Sequence, residues 1–186
     1  ADKQARRLCY TAADRANPAF NTAGTPTAAG ALDPAVVAGK IVVCARGNTA
    51  RVDKGVAVKE AGGAGMILTD TASALVADPH VLPAIHVSLA DGNAIRSWLS
   101  TRPDAPASIS RSQTMAGTTP APRMASFSSR GPNKGDPNVL KPDLTAPGVD
   151  ILAAVAAGGD MALRDEIANN VTPGGQLWQS MQGTSM

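Results

Sequence analysis

The sequence predicts an α/β fold over residues 1–115, followed by a second and smaller body. Three observations carry this. Ile41-Val42-Val43-Cys44 is a continuous β-branched run of the kind found in a strand covered on both faces. A helical stretch then runs to Gly62-Gly63, and Gly65-Met66-Ile67-Leu68-Thr69-Asp70 reads as a second strand, so strand, helix and strand over about thirty residues make a right-handed unit with parallel strands. Finally, Ala116-Gly117-Thr118-Thr119-Pro120-Ala121-Pro122 is small, Pro-rich and uncharged, a stretch that few contacts should cross.

Taken in order, residues 1–35 are rich in Ala, Thr, Asn, Pro and Gly, with little periodicity. Arg7 to Thr11 reads as a short strand, Ala12 to Pro34 as mostly loop, and Asp33-Pro34 as a turn. Asn48 or Thr49 is expected to cap a helix from Ala50 to Ala61, with Val52 and Val56 on one face and Lys54, Lys59 and Glu60 on others. Glycines at 62 and 63 stop it. The unit then nearly repeats: Leu82-Pro83-Ala84-Ile85-His86-Val87 is a strand, and Ser88 three residues ahead of Asp91 is a capping box. Ile95, Trp98 and Leu99 mark the buried side of the helix that follows, and Ala107 to Arg111 is expected to return as a strand. Beyond the boundary, Met124 to Phe127 and Asp150 to Val155 read as strands. Met161 to Ile167 is a short amphipathic piece, and Asn170-Val171-Thr172 is a formal glycosylation sequon read as inert.

Composition narrows the function classes. Hydrophobic residues make up 44% but aromatics only 3%, so the core must be built from Val, Ile, Leu and close Ala and Gly contacts. A formal charge of +2 without a dense Lys/Arg block gives no footprint for nucleic acid or an anionic membrane. No apolar run approaches the ~20 residues of a membrane helix, which predicts a soluble chain. There is no initiator Met and no basic-then-apolar leader, so the sequence is expected to start inside a mature protein or to be an excised piece. Cys9 and Cys44 are too few for a disulfide scaffold and lack a metal-ligand spacing. Either they form one bridge in an exported protein, closing a loop worth on the order of 3 to 4 kcal/mol, or they stay as two buried thiols.

The chemistry-bearing stretch is Gly183-Thr184-Ser185-Met186. A serine hydroxyl is a poor nucleophile at neutral pH, and it needs exposure beside a base, with its own N–H free to stabilise an oxyanion. A strand-to-helix turn provides both, and Gly183 allows a tight bend and close approach of a substrate backbone. Two further runs precede it in order, Ala125-Ser126-Phe127-Ser128-Ser129-Arg130-Gly131-Pro132 and Leu140-Lys141-Pro142-Asp143-Leu144-Thr145-Ala146-Pro147-Gly148-Val149-Asp150-Ile151. Together they closely resemble the C-terminal part of the catalytic domain of subtilisin-like serine proteases, in which the serine of the Gly-Thr-Ser-Met run is the nucleophile. The resemblance gives Ser185 that role and makes residues 123–186 an incomplete piece of a parallel α/β catalytic domain.

The block from Cys9 to Met115 resembles the protease-associated domain, a module inserted in many of these proteases. The resemblance rests on Gly39 to Gly47, Lys54-Gly55, Ala61 to Leu68 and His80 to Val87, in that order. It implies a swivelling β/β/α fold without catalytic machinery of its own.

The family order of the triad is Asp, His, Ser, so acid and base are expected upstream of Ala1. His80 and His86 lack the Gly-rich surroundings of the family's catalytic histidine and read as a surface and a half-buried strand histidine. Asp143 and Asp150 match no catalytic position, and Asn133, Asn138, Asn169 and Asn170 are not candidates for the oxyanion donor. No acidic loop has calcium spacing, and no cofactor is implied. The expectation is part of a secreted endopeptidase acting on protein or peptide substrate, inactive by itself, with no nucleic-acid or membrane partner. The alternative is a non-catalytic binding module that recruits substrate or forms a homodimer through residues 1–115.

Overall fold

The β-branched run forms strand β1 (Ile41–Ala45), which pairs in parallel with β2 (Gly65–Thr69), Ile41 facing Gly65 and Ala45 facing Thr69. Strand β3 (Ala84–Val87) joins the other side of β2, also in parallel, giving the order β1-β2-β3. The computed structural model describes residues 2–20, 29–71, 75–111, 122–154 and 178–185. The expected linker residues 116–121, the amphipathic piece 161–167 and the sequon 170–172 lie outside them. The chain divides into two compact units, Ala1–Pro120 and Ala121–Met186.

In the first unit the crossover between β1 and β2 is helix α4 (Arg51–Glu60), whose last turn ends on Gly62 at φ 78°. Gly62 N–H bonds to Lys59 O at 2.9 Å and Gly63 N–H to Val58 O at 2.8 Å, a helix stop that needs a left-handed residue. The first turn of α4 has no side-chain cap: its N-cap is Ala50. Thr49, expected there, is buried instead and its hydroxyl accepts from Lys54 Nζ. The buried face of α4 is Lys54, Gly55, Ala57 and Val58, whereas Val52 is exposed. The face thus lies to one side of the Val52/Val56 line, because a lysine amine with three acceptable neighbours replaces an aliphatic contact.

The N-terminal segment differs from the expected strand and loop. Helix α1 (Asp2–Arg7) ends in a turn in which Cys9 N–H bonds to Arg6 O and Tyr10 N–H to Ala5 O, with Cys9 in the left-handed region at φ 50°. Leu8 and Tyr10 look like strand alternation, yet this helix stop also sends both inward, where they pack with Ala5, Ala31 and Ala45. A capping box between Thr11 and Asp14 then starts the five-residue α2 (Ala12–Ala16). Asp33 caps α3 (Pro34–Val37). A Cys9–Cys44 disulfide, Cα to Cα 5.6 Å, ties this segment to β1. Around it Val58, Met66 and Leu68 form a fully buried cluster.

Helix α5 (Leu89–Ser100) starts at Ser88, whose hydroxyl accepts from Asp91 N–H at 3.1 Å. It approaches β2 through Gly92, not through a broad apolar face: Trp98 is 46% exposed and lies 5.6 Å from the Arg102 guanidinium. The stretch 107–111 forms no strand, although Ile109 reaches the open side of Gly65.

In the second unit β4 (Ile151–Ala154) pairs with β5 (Trp178–Met181), Ile151 facing Met181. Of the parallel sheet that the resemblance implies here, the described residues hold no pair; these two strands run antiparallel. Residues 124–127 form a turn where a strand was expected, closed by Ser128 N–H on Ala125 O. None of the described residues of this unit is buried, and Leu140, Leu144 and Leu152 are 85%, 79% and 69% exposed.

Candidate functional site

Ser185 sits just past β5. The strand pair continues beyond Met181 by one more bond, from Gly183 N–H to Gly148 O at 3.0 Å, which fixes where the chain leaves the ladder. On the partner strand this departure is matched by Asp150 at φ 52°, a left-handed residue between Gly148 and β4. Thr184 and Ser185 then form an exposed turn. The Ser185 hydroxyl makes no hydrogen bond among the described residues, so the group is open but not activated.

The two runs preceding it meet. Gly131 stands at φ 74°, and a Cβ there would lie 3.0 Å from Lys141 O, so only glycine fits. Ser129, Gly131, Pro132 and Asn133 from one run and Lys141 to Leu144 from the other line an open cleft of about 530 Å³. Asp143 is paired with Lys141 at the surface.

Both histidines lie in the first unit and are engaged there. His86 Nδ1 is 3.1 Å from Val76 N and 3.2 Å from Val76 O, and its Nε2 is 3.5 Å from Asp70 Oδ2. The His86 side chain is 7% exposed, deeper than a half-buried strand residue. Asp70 is buried and accepts from Arg46 Nη1 at 3.1 Å and from Thr71 N–H. His80 packs on α4, and burial lowers its pKa from the ordinary value.

This polar group at the C-terminal ends of the parallel strands was not singled out from the sequence. A signal existed: Arg46 and Asp70 each follow a strand by one residue, and the register pairing Ala45 with Thr69 brings them together, with Arg46 N–H on Thr69 O at 2.8 Å. Among the described residues no three His, Cys, Asp or Glu side chains group to hold a metal ion, and no helix is long and apolar enough to cross a membrane.

Residues 5–95 match the family model for the PA domain. Over 149 residues, 78% of this chain, the sequence is 52% identical to the subtilisin-like protease SBT1.7 of Arabidopsis thaliana. It is 54% identical over 136 residues, 72% of the chain, to the subtilisin-like protease SBT1.3, and 48% identical over 161 residues, 84% of the chain, to SBT5.4, both from the same plant. The chain belongs to the subtilisin-like proteases and carries their PA domain. The matched stretches make up 20%, 17% and 20% of those three proteins, so this subtilase chain spans about a fifth of the length of the curated relatives it matches. The parallel α/β unit of the fold is the part the PA-domain model covers, and both histidines fall within it.

Proposed function

We propose that Ser185 is the nucleophile of a secreted serine endopeptidase, working with a histidine base and an aspartate that the parent subtilase supplies from segments outside these residues. The observation that carries the reading is the placement of Gly183-Thr184-Ser185. The Gly183 to Gly148 bond ends the strand pair and leaves Ser185 in an exposed turn, within a chain similar to subtilisin-like proteases. Residues 1–115 are the PA domain, 116–122 the linker and 123–186 part of the catalytic domain. The substrate is protein or peptide, and no cofactor takes part. Because His80 and His86 are engaged within the first unit, the 186-residue chain alone hydrolyses no peptide bond above the buffer rate.

A second role is favoured by one observation. Every buried residue of the described chain lies in the first unit, which also holds the disulfide. That unit is an autonomous body suited to binding protein substrate, gating access to the cleft or making a contact between copies. The decisive test uses the full-length parent protein. Ser185→Ala is expected to lower kcat/KM by more than about 10³-fold, and a fluorophosphonate probe should label Ser185 in the unmodified parent. Full activity of the Ser185→Ala parent overturns the nucleophile. Turnover by the 186-residue chain that Ser185→Ala abolishes overturns the dependence on outside groups.

A further inference from the structure

The four residues Pro79 to Leu82 are suspended between two fixed points. On one side Asp78 is gripped by Arg51 of α4 through two bonds, Nη2 to Oδ1 at 3.0 Å and Nε to Oδ2. On the other, Pro83 O accepts from Met66 N–H at 3.0 Å, which pins the start of β3 to β2. Between these points His80 lies on α4, in the space a side chain at position 55 would fill. A Cβ on Gly55 would come within 3.1 Å of His80 Nδ1 and 3.7 Å of its Cβ.

The seat suits only one protonation state. His80 Nδ1 is buried and has no hydrogen-bond partner. A neutral ring tolerates this with its lone pair turned inward. An imidazolium places an N–H with positive charge against the α4 backbone with no acceptor, a cost of several kcal/mol in an apolar setting. The charged and titratable groups facing His80 do not relieve it: Asp78, which favours its protonation, is occupied by Arg51, while Arg51 itself and His86 oppose it. The Lys54 amine beside Gly55 is turned to Leu8 O and Thr49. His86 behaves differently. Val76 offers its Nδ1 an N–H when the ring is neutral and a carbonyl when it is charged, with Asp70 next to Nε2, so that contact survives in both states.

We propose that residues 79–82 form an acid-released strap, seated on Gly55 while His80 is neutral and lifted from α4 when His80 takes a proton, with the Asp78–Arg51 and Pro83–Met66 contacts as its hinges. Acid then loosens one edge of the PA domain at the C-terminal ends of its strands without unfolding it. Arg46, Arg51 and Arg96 around this edge each already donate to an acceptor of the chain.

The test is amide hydrogen exchange of the 186-residue chain at His80, Val81 and Leu82, expressed as protection factors at about pH 7.5 and about pH 5. Wild-type protection at these amides is expected to fall at least about threefold on acidification, since each unit by which the histidine pKa is lowered is worth tenfold. His80→Asn should remove the pH dependence, and Gly55→Ala should leave protection low at both pH values because the seat is filled. Equal wild-type protection at the two pH values, or a His80→Asn chain that still opens in acid, overturns the strap. Should either variant fail to fold, NMR titration of the wild type decides: a His80 pKa below that of a free imidazole supports the seat, and an ordinary value overturns it.

Discussion

Lys54 is fully buried, yet no carboxylate bonds to it. Its Nζ donates to Leu8 O at 2.7 Å and Thr49 Oγ1 at 2.9 Å and lies 5.8 Å from the centre of the Tyr10 ring. Those contacts hold the N-terminal segment on α4, and desolvation lowers the amine pKa to about 8. A folded value below the unfolded one, 10.5, means the unfolded chain binds more protons between those limits, so stability rises with pH across that window. Tyr10, whose pKa burial raises above 10.0, works in the opposite direction only at the top of it. Denaturant midpoints should therefore climb between about pH 8 and about pH 9.5, and Lys54→Met should flatten the climb. A wild-type midpoint independent of pH there contradicts the assignment. Nothing in the sequence marked Lys54 as interior: a lysine on an amphipathic helix is normally solvated, and its burial depends on two acceptors 46 and 5 residues away.

At the scale of elements, α5 docks on β2 at a single point. A Cβ on Gly92 would lie 2.7 Å from Thr69 Cβ and 2.9 Å from its Cγ2. Thr69 cannot give way freely, because its hydroxyl donates to Cys44 O at 3.3 Å and accepts from Arg96 Nη1 at 2.6 Å. Alanine at a helix interior is worth about 1 kcal/mol over glycine, but the overlap should outweigh it. Gly92→Ala is expected to destabilise the first unit by a net 1 to 3 kcal/mol, roughly, read as a lower denaturant midpoint with unchanged slope. β1, α4 and β2 were legible because each repeats one signal several times over: Val42 and Val43 are β-branched, Gly62 and Gly63 are adjacent, and Met66, Ile67 and Leu68 are contiguous. α1 and α2 were not, since in so short a helix a residue such as Cys9 at its end or Thr11 at its start outweighs periodicity. The Trp98 face of α5 misled for a related reason: an aromatic at helical spacing can cover an arginine stem as readily as a core.

At the scale of the whole chain, the two units contrast in what they bury. The first closes a disulfide-centred core with Met66, Leu68 and Val58 at zero exposure, while the second leaves Leu140, Leu144 and Trp178 largely in solvent. Exchange protection should follow that division, with slow amides in β1 and β2 and fast ones throughout β4 and β5; equal protection in both units contradicts it. Ser185 was legible in the sequence as a motif, but the turn presenting it depends on Gly148, 35 residues earlier by number, through a bond that no local pattern announces. Replacing both cysteines with serine should lower the stability of the first unit by between about 3 and 4 kcal/mol, from the length of the loop closed; an unchanged midpoint contradicts this. The same cross-link bears on survival among proteases. A single cut anywhere between Cys9 and Cys44 leaves both resulting pieces covalently joined, so a molecule nicked there by a neighbouring copy keeps its amino-terminal portion until a reductant arrives.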